Sequence, residues 1–218
     1  MSLELAAYII DIIGALLLIT MIIILEAGGL YRAIYAMAVQ SILISLAGAV
    51  LGAATHNIDL WIIALLTLVV KVVVLPFLLL HVIQRMRIDH KIEVMIPVTV
   101  TLAIAAAIVM LAFYLSSSLG SLRQVITGNA LPIGISLMLI GILVMMSRRK
   151  AITQMVGLFA SENGIFFTAM AVSQGMPLII EIGITLDVIL GALVMGVIML
   201  RVKSNIGSDI SDLEQLKG

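Results

Sequence analysis

Four ionisable side chains, Lys71, Glu162, Glu181 and Asp187, lie inside long apolar runs of the sequence. A charge at the centre of a bilayer costs at least about 2.5–3.5 kcal/mol even on the lenient insertion scale. A chain that keeps four of them is expected to use them, as a path for protons or ions or as polar contacts between membrane subunits. Lys71 stands in LLTLVVKVVVLPFLLL. Its stem of about 6 Å falls short of a water interface about 15 Å from the midplane, so it needs a partner, a hydrated cavity or the loss of its proton. Burial and a nearby carboxylate pull a lysine's proton affinity in opposite directions, and a balanced site can gain and lose a proton. A fixed ion pair is the plainer alternative. Pro76, five residues on, cannot donate to the helix and is expected to kink it, freeing a carbonyl near the ammonium.

Glu162 stands in VGLFASENGIFF, where Ser161, Asn163 and Gly164 weaken the local helix and offer hydrogen bonds to a proton or water chain. Polar glue between helices is the rival reading, but Ser or Asn alone would serve as glue. Glu181 falls about one turn inside the outer surface, and Asp187 falls deeper. Gly183, Asp187 and Gly191 recur every four residues and share one helix face, leaving room beside the Asp187 carboxylate. Asp11 lies in the outer half of the first apolar segment and ranks with Asn163 as a secondary candidate. His81 closes the third segment near its basic end.

The elements that must position these groups are membrane helices. The chain is 63% hydrophobic and 11% charged, with a mean hydropathy of +1.29. A soluble domain is nearer half apolar and one quarter charged. A span needs about 20 apolar residues. Seven segments qualify: 3–25, 33–54, 59–82, 94–115, 131–147, 151–173 and 177–200. The first lacks a basic leader region and a small-residue cleavage site, so it reads as a helix. With seven spans, the N-terminus and the loops at 56–59, 116–130 and 173–177 carry a single basic residue, Arg123. Arg32, Arg85, Arg87, Lys91, Arg148, Arg149, Lys150, Arg201, Lys203 and Lys217 fall on the other side. The positive-inside rule then places the N-terminus outside and the C-terminus in the cytoplasm.

The chain has no cysteine, which excludes thiolate-held iron–sulfur clusters and CxxC redox chemistry within it. His56, His81 and His90 form no facing pair for haem. No HExxH, GxSxG or phosphate loop is present, no metal site is expected, and nothing points to nucleic acid. Gly48 and Gly52 fit a close-packing pair, and Trp61 fits an interfacial anchor. Sliding the chain by 116 residues sets Arg32 on Arg148, Lys71 on Asp187, Arg85 on Arg201 and Arg87 on Lys203. That pattern suggests a parallel repeat of two three-helix units. The expected divisions are a three-helix unit at 1–93, a connecting helix and loop at 94–130, a second three-helix unit at 131–203, and a polar tail at 204–218.

The stretch 134–203 resembles the small K subunit of complex I and its counterpart in multisubunit cation/proton antiporters. The matching features are the basic turn in SRRKAITQMVGL and the carboxylates Glu162 and Asp187. It departs from them at Phe159, where those subunits usually carry a glutamate; Glu162, about one turn later, could present its carboxylate from nearly the same face. Over nearly its full length the chain is similar to the seven-helix component E of hydrogenase-4 and formate hydrogenlyase complexes. That likeness rests on LLTLVVKVVVLP, SENG at 161–164, IEIGITLD and the closing LEQLKG.

The resemblance implies a membrane-arm subunit of a group 4 [NiFe]-hydrogenase-type complex in a prokaryotic cytoplasmic membrane. Antiporter-like subunits would stand beside it and a soluble redox arm would sit on the cytoplasmic side. The NiFe centre and iron–sulfur clusters would reside in partner subunits, with no cofactor in this chain. Lys71, Glu162 and Asp187 would form the midplane part of a proton or sodium path. Glu181 would lead outward, and His81 would lead toward the cytoplasm. A unit charge about 4 Å away contributes about 4 kcal/mol at an effective dielectric of 20, changing a neighbour's proton affinity about a thousandfold. The alternatives are a scaffold that anchors the larger subunits, a K-type subunit of an antiporter complex without hydrogenase, and a stand-alone small transporter.

Overall fold

A computed structural model describes residues 2–86, 92–118, 129–173 and 196. The described chain is all-helical, with no strand beyond one isolated bridge between Val94 and Arg148. Its helices are α1 (Leu3–Glu26), α2 (Leu30–Thr55), α3 (Ile58–Thr67), α4 (Leu75–Met86), α5 (Val98–Ser118), α6 (Ala130–Ser147) and α7 (Ala151–Ser173). A π-helical segment, Leu68–Val74, joins α3 to α4, so the three form one continuous rod. Five helices are long and apolar enough to cross a membrane by length and composition: Leu3–Glu26, Leu30–Thr55, Ile58–Gln84, Val98–Ser117 and Ala130–Ser147. The expected span at 151–173 coincides with α7. The expected span at 177–200, with Glu181 and Asp187, lies outside the described residues.

Helix ends follow local chemistry. Ser2 Oγ accepts from Leu5 N–H at the start of α1, and Asn57 Oδ1 accepts from Asp59 N–H before α3. Between α2 and α3, His56 takes the left-handed conformation (φ 54°) that ends a helix within one residue. The fourth span starts later than the apolar run suggests. Pro97 fixes the start of α5, and residues 92–97 form a non-helical strap that bends at Met95 and Ile96. Ile92 N–H donates to Gly28 O, Met95 N–H to Ser147 O and Arg149 N–H to Glu93 O, and Lys150 pairs with Glu93 at 3.5 Å. The α1–α2 turn, the strap and the α6–α7 turn therefore meet at one end of the bundle.

Arg148 locks this end. It is buried, and its Nη2 donates to Leu25 O in the last turn of α1. Burial pulls its pKa below the ordinary guanidinium value. The partial negative charge of a helix C-terminus acts in the opposite sense. Arg32, its match in the proposed repeat, is exposed and lies inside α2, whereas Arg148 precedes α7. The two arginines thus occupy different places in their helical pairs.

Helix α2 is the hub, packed against α1, α3, the π segment and α7, while α6 and α7 form the closest pair. Glycines explain that closeness. A Cβ on Gly141 would lie 2.5 Å from Ser161 N, and one on Gly164 would lie 2.6 Å from Met138 N. Backbone meets backbone there, as in small-residue membrane interfaces. The seam fixes the rotation of α7 and leaves its other side toward α2 and the π segment. Gly48 and Gly52 play the same part between α2 and α3, where added Cβ atoms would meet Ala64 and Trp61 at 3.3 and 3.0 Å. Large apolar side chains such as Tyr8, Ile19, Met110 and Tyr114 cover the outside of the bundle, as a lipid-facing surface requires.

Gly141→Ala is expected to destabilise the chain by about 1–3 kcal/mol, because the contacted atoms are backbone and cannot step aside. Gly28→Ala, whose Cβ would meet nothing within 4 Å, should stay within about 0.5 kcal/mol. Unfolding midpoints of the purified full chain in mixed micelles check both.

Candidate functional site

The site is a polar cluster in the interior of the bundle. Lys71 occupies the midpoint of the rod Ile58–Gln84, and Glu162 occupies the midpoint of α7. Lys71 Nζ lies 3.0 Å from Glu162 Oε1, with the two side chains 2% and 6% exposed. Those values decide the chemistry, since an exposed pair would be screened by water and contribute little. Here each ion depends on the other and on a few polar neighbours.

The π segment sets the position of Lys71. Pro76 has no N–H, and in an α-helix its ring would press on the carbonyl four residues back. A π turn widens the helix and bonds five residues back, as Leu75 N–H does to Val70 O. The expected kink is thus resolved as a π-helical stretch centred on Lys71. It turns the lysine inward toward α2 and α7 while Val69 and Val73 on the same rod stay exposed.

Two further groups on α7 meet the ammonium. Asn163 Oδ1 accepts from it at 3.5 Å, and the Phe166 ring centroid lies 4.0 Å from Nζ. An aromatic face attracts a desolvated cation by up to about 2 kcal/mol. Asn163 Nδ2 donates to Gln40 Oε1 at 3.2 Å and to Ser41 Oγ at 3.3 Å, and Gln40 Nε2 faces Met21 Sδ at 3.7 Å. The cluster therefore runs from α1 through α2 to the π segment and α7. Glu162 Oε2 is buried and has no hydrogen-bond partner among the described residues.

The structure brings together Lys71, Glu162 and Asn163 of the residues singled out from sequence. His81 stands apart. It is exposed on the outer face of α4, stacked on Phe77 with ring centroids 6.1 Å apart. Asp11 lies in α1 with Oδ1 buried and without a hydrogen-bond partner among the described residues. Ser161 turns away to α6, where its hydroxyl donates to Met138 O at 3.0 Å. Phe159, at the point of departure from the K-subunit pattern, is buried. Gln40, Ser41, Phe166 and Met21 were not singled out from sequence. The adjacent polar pair Gln40–Ser41 in the middle of an apolar run is the signal that could have found two of them. No group of three or more His, Cys, Asp or Glu able to hold a metal occurs among the described residues.

The chain is 34% identical over 118 residues to the uncharacterized protein Rv0085 of Mycobacterium tuberculosis. The match covers 54% of this chain and 54% of that protein, so the chain spans about half the length of the relative. No family model matches the chain, and no solved structure matches it.

Lys71→Met should leave the Glu162 carboxylate buried without its counter-charge and cost on the order of 3–5 kcal/mol. The double variant Lys71→Met with Glu162→Gln should recover much of that loss. Equilibrium unfolding of the four proteins as a double-mutant cycle measures the coupling, and additive losses would mean that the two residues act independently.

Proposed function

We propose that this chain is a seven-span membrane subunit, N-terminus outside, of a redox-driven proton or sodium pump of the group 4 [NiFe]-hydrogenase type. In this reading it sits in a prokaryotic cytoplasmic membrane beside antiporter-like subunits. The electron carriers, a NiFe centre and iron–sulfur clusters, belong to a soluble arm on the cytoplasmic side. The single observation that carries the reading is the buried Lys71–Glu162 pair at the midpoints of two helices, with Glu162 Oε2 unpartnered among the described residues. A purely structural pair is expected to satisfy its remaining lone pairs.

The geometry supports a charge switch. A proton arriving on Glu162 Oε2 converts the carboxylate to a neutral acid and removes the attraction that holds Lys71. The ammonium keeps Asn163 Oδ1 and the Phe166 ring among its contacts. It can then pass a proton onward, and the neutral amine left behind takes the Glu162 proton, which restores the ammonium and the carboxylate as an ion pair. Asp187, outside the described residues, would complete the midplane part of the path, and Glu181, also outside them, would lead outward. Redox events in the partner arm would drive it by moving charge near the pair.

The test is Glu162→Gln in the native membrane complex. Proton or sodium translocation should fall to background while the complex remains assembled and its redox chemistry continues. Normal translocation by the assembled variant would remove Glu162 from the mechanism. Dissociation of the complex by Glu162→Gln and Lys71→Met alike, with no assembled and uncoupled form, would support the scaffold reading instead.

A further inference from the structure

Lys71 is held by a carboxylate on one side and by an amide on the other, and the amide's orientation is fixed from a distance. Met21 Sδ has lone pairs and no hydrogen, so it can only accept. Gln40 therefore presents Nε2 to it at 3.7 Å and its oxygen to Asn163. Ser41 donates its hydroxyl hydrogen to Met37 O at 3.1 Å, which leaves Oγ to accept. Both groups facing Asn163 from α2 are thus acceptors, and both take its Nδ2. Asn163 then has only Oδ1 to offer Lys71. Asn163 and Gln40 are both fully buried, so water does not relax the arrangement.

We propose that Met21, Gln40 and Ser41 are positioning residues that lock the Asn163 carbonyl toward Lys71 and so create a second station for the ammonium. The inference rests on the reading of Lys71 as the mobile cation. A side-chain amide does not ionise near neutral pH, so Asn163 and Gln40 do not extend the proton path into α2. They close it on that side. The lysine moves between an ionisable acceptor, Glu162 Oε1, and a non-ionisable one, Asn163 Oδ1, and the second keeps the buried ammonium solvated while the first is protonated. An unlocked Asn163 could turn its NH2 toward Lys71 and repel the cation.

The experiment follows the Lys71 Nζ signal by solid-state 15N NMR of the full chain, labelled at lysine and reconstituted in lipid bilayers. The Lys71→Met variant assigns the signal. Gln40→Leu is expected to shift or split the Lys71 resonance, and Asn163→Ala is expected to shift it. In the double variant Gln40→Leu adds nothing to Asn163→Ala, because Gln40 acts only through Asn163. Gln40→Glu keeps an acceptor facing Asn163 Nδ2 and should retain the Lys71–Asn163 contact. Met21→Leu, close in volume and lacking only the sulfur, keeps the test open where Gln40→Leu fails to fold. It should broaden or split the signal because Gln40 can then turn over. An unmoved resonance in both Gln40→Leu and Met21→Leu, or additive shifts in the double variant, would overturn the proposal. A translocating Glu162→Gln complex would overturn the pump reading while leaving the NMR cycle intact, so the two failures are distinguishable.

Discussion

The ion pair between Lys71 and Glu162 is the constraint on which the arrangement of this bundle turns. Neither charge tolerates a low-dielectric interior alone, and together they lie 3.0 Å apart with almost no exposure. The rod carrying Lys71 must therefore stay against α7. Helix α2 must fill the space behind with groups that accept hydrogen bonds, because Asn163 has donors to satisfy. The tight α6–α7 seam serves the same end. With Gly141 and Gly164 pressed against the backbone of the partner helix, α7 has one rotation available, and that rotation aims Asn163 and Phe166 at the lysine.

The pair also gives the π-helical stretch a purpose beyond accommodating Pro76. A regular α-helix through this proline would place its ring against the preceding turn. Widening the helix removes that conflict and shifts the facing of the residues upstream. Lys71 is the one charged residue in the stretch and the one buried there, while its valine neighbours stay partly or largely exposed. Strain at the proline and burial of the charge are thus resolved by the same distortion. At the far end, the strap of residues 92–97 and Arg148 tie the α1–α2 and α6–α7 turns together. That tie holds α1 and α7, the outermost contributors to the polar cluster, in one body.

Much of this was legible from residue types. Apolar run lengths predict α1, α2, the long third rod, α6 and α7 closely, and an ionisable residue in the middle of such a run marks Lys71 and Glu162. The start of α5 was not legible from hydropathy, because residues 92–97 are apolar enough to extend the helix, and Pro97 with the strap's hydrogen bonds decides otherwise. The π turn was visible only as an expected kink at Pro76, since sequence names the offending residue but not the relief the backbone takes. Gln40 and Ser41 escaped notice because amides and hydroxyls are common in membrane interfaces. Their meaning comes from the donors and acceptors that face them across three helices, which no spacing along one segment records. His81 shows a different limit of reading residue types. Its place near the basic end of the helix suggested a route to the cytoplasm, and its helix face points it outward beside Phe77.

The central claim is that the Glu162 carboxylate changes protonation while buried against Lys71. Infrared difference spectroscopy on the full chain in lipid bilayers addresses it directly, with Glu162→Gln identifying the signal. The account predicts a carbonyl band of a protonated Glu162 that rises and falls reversibly with pH, accompanied by a change in the ammonium modes of Lys71. A carboxylate band that stays ionised across the whole range in which the chain is folded would contradict it, and would leave the pair as a fixed structural tie.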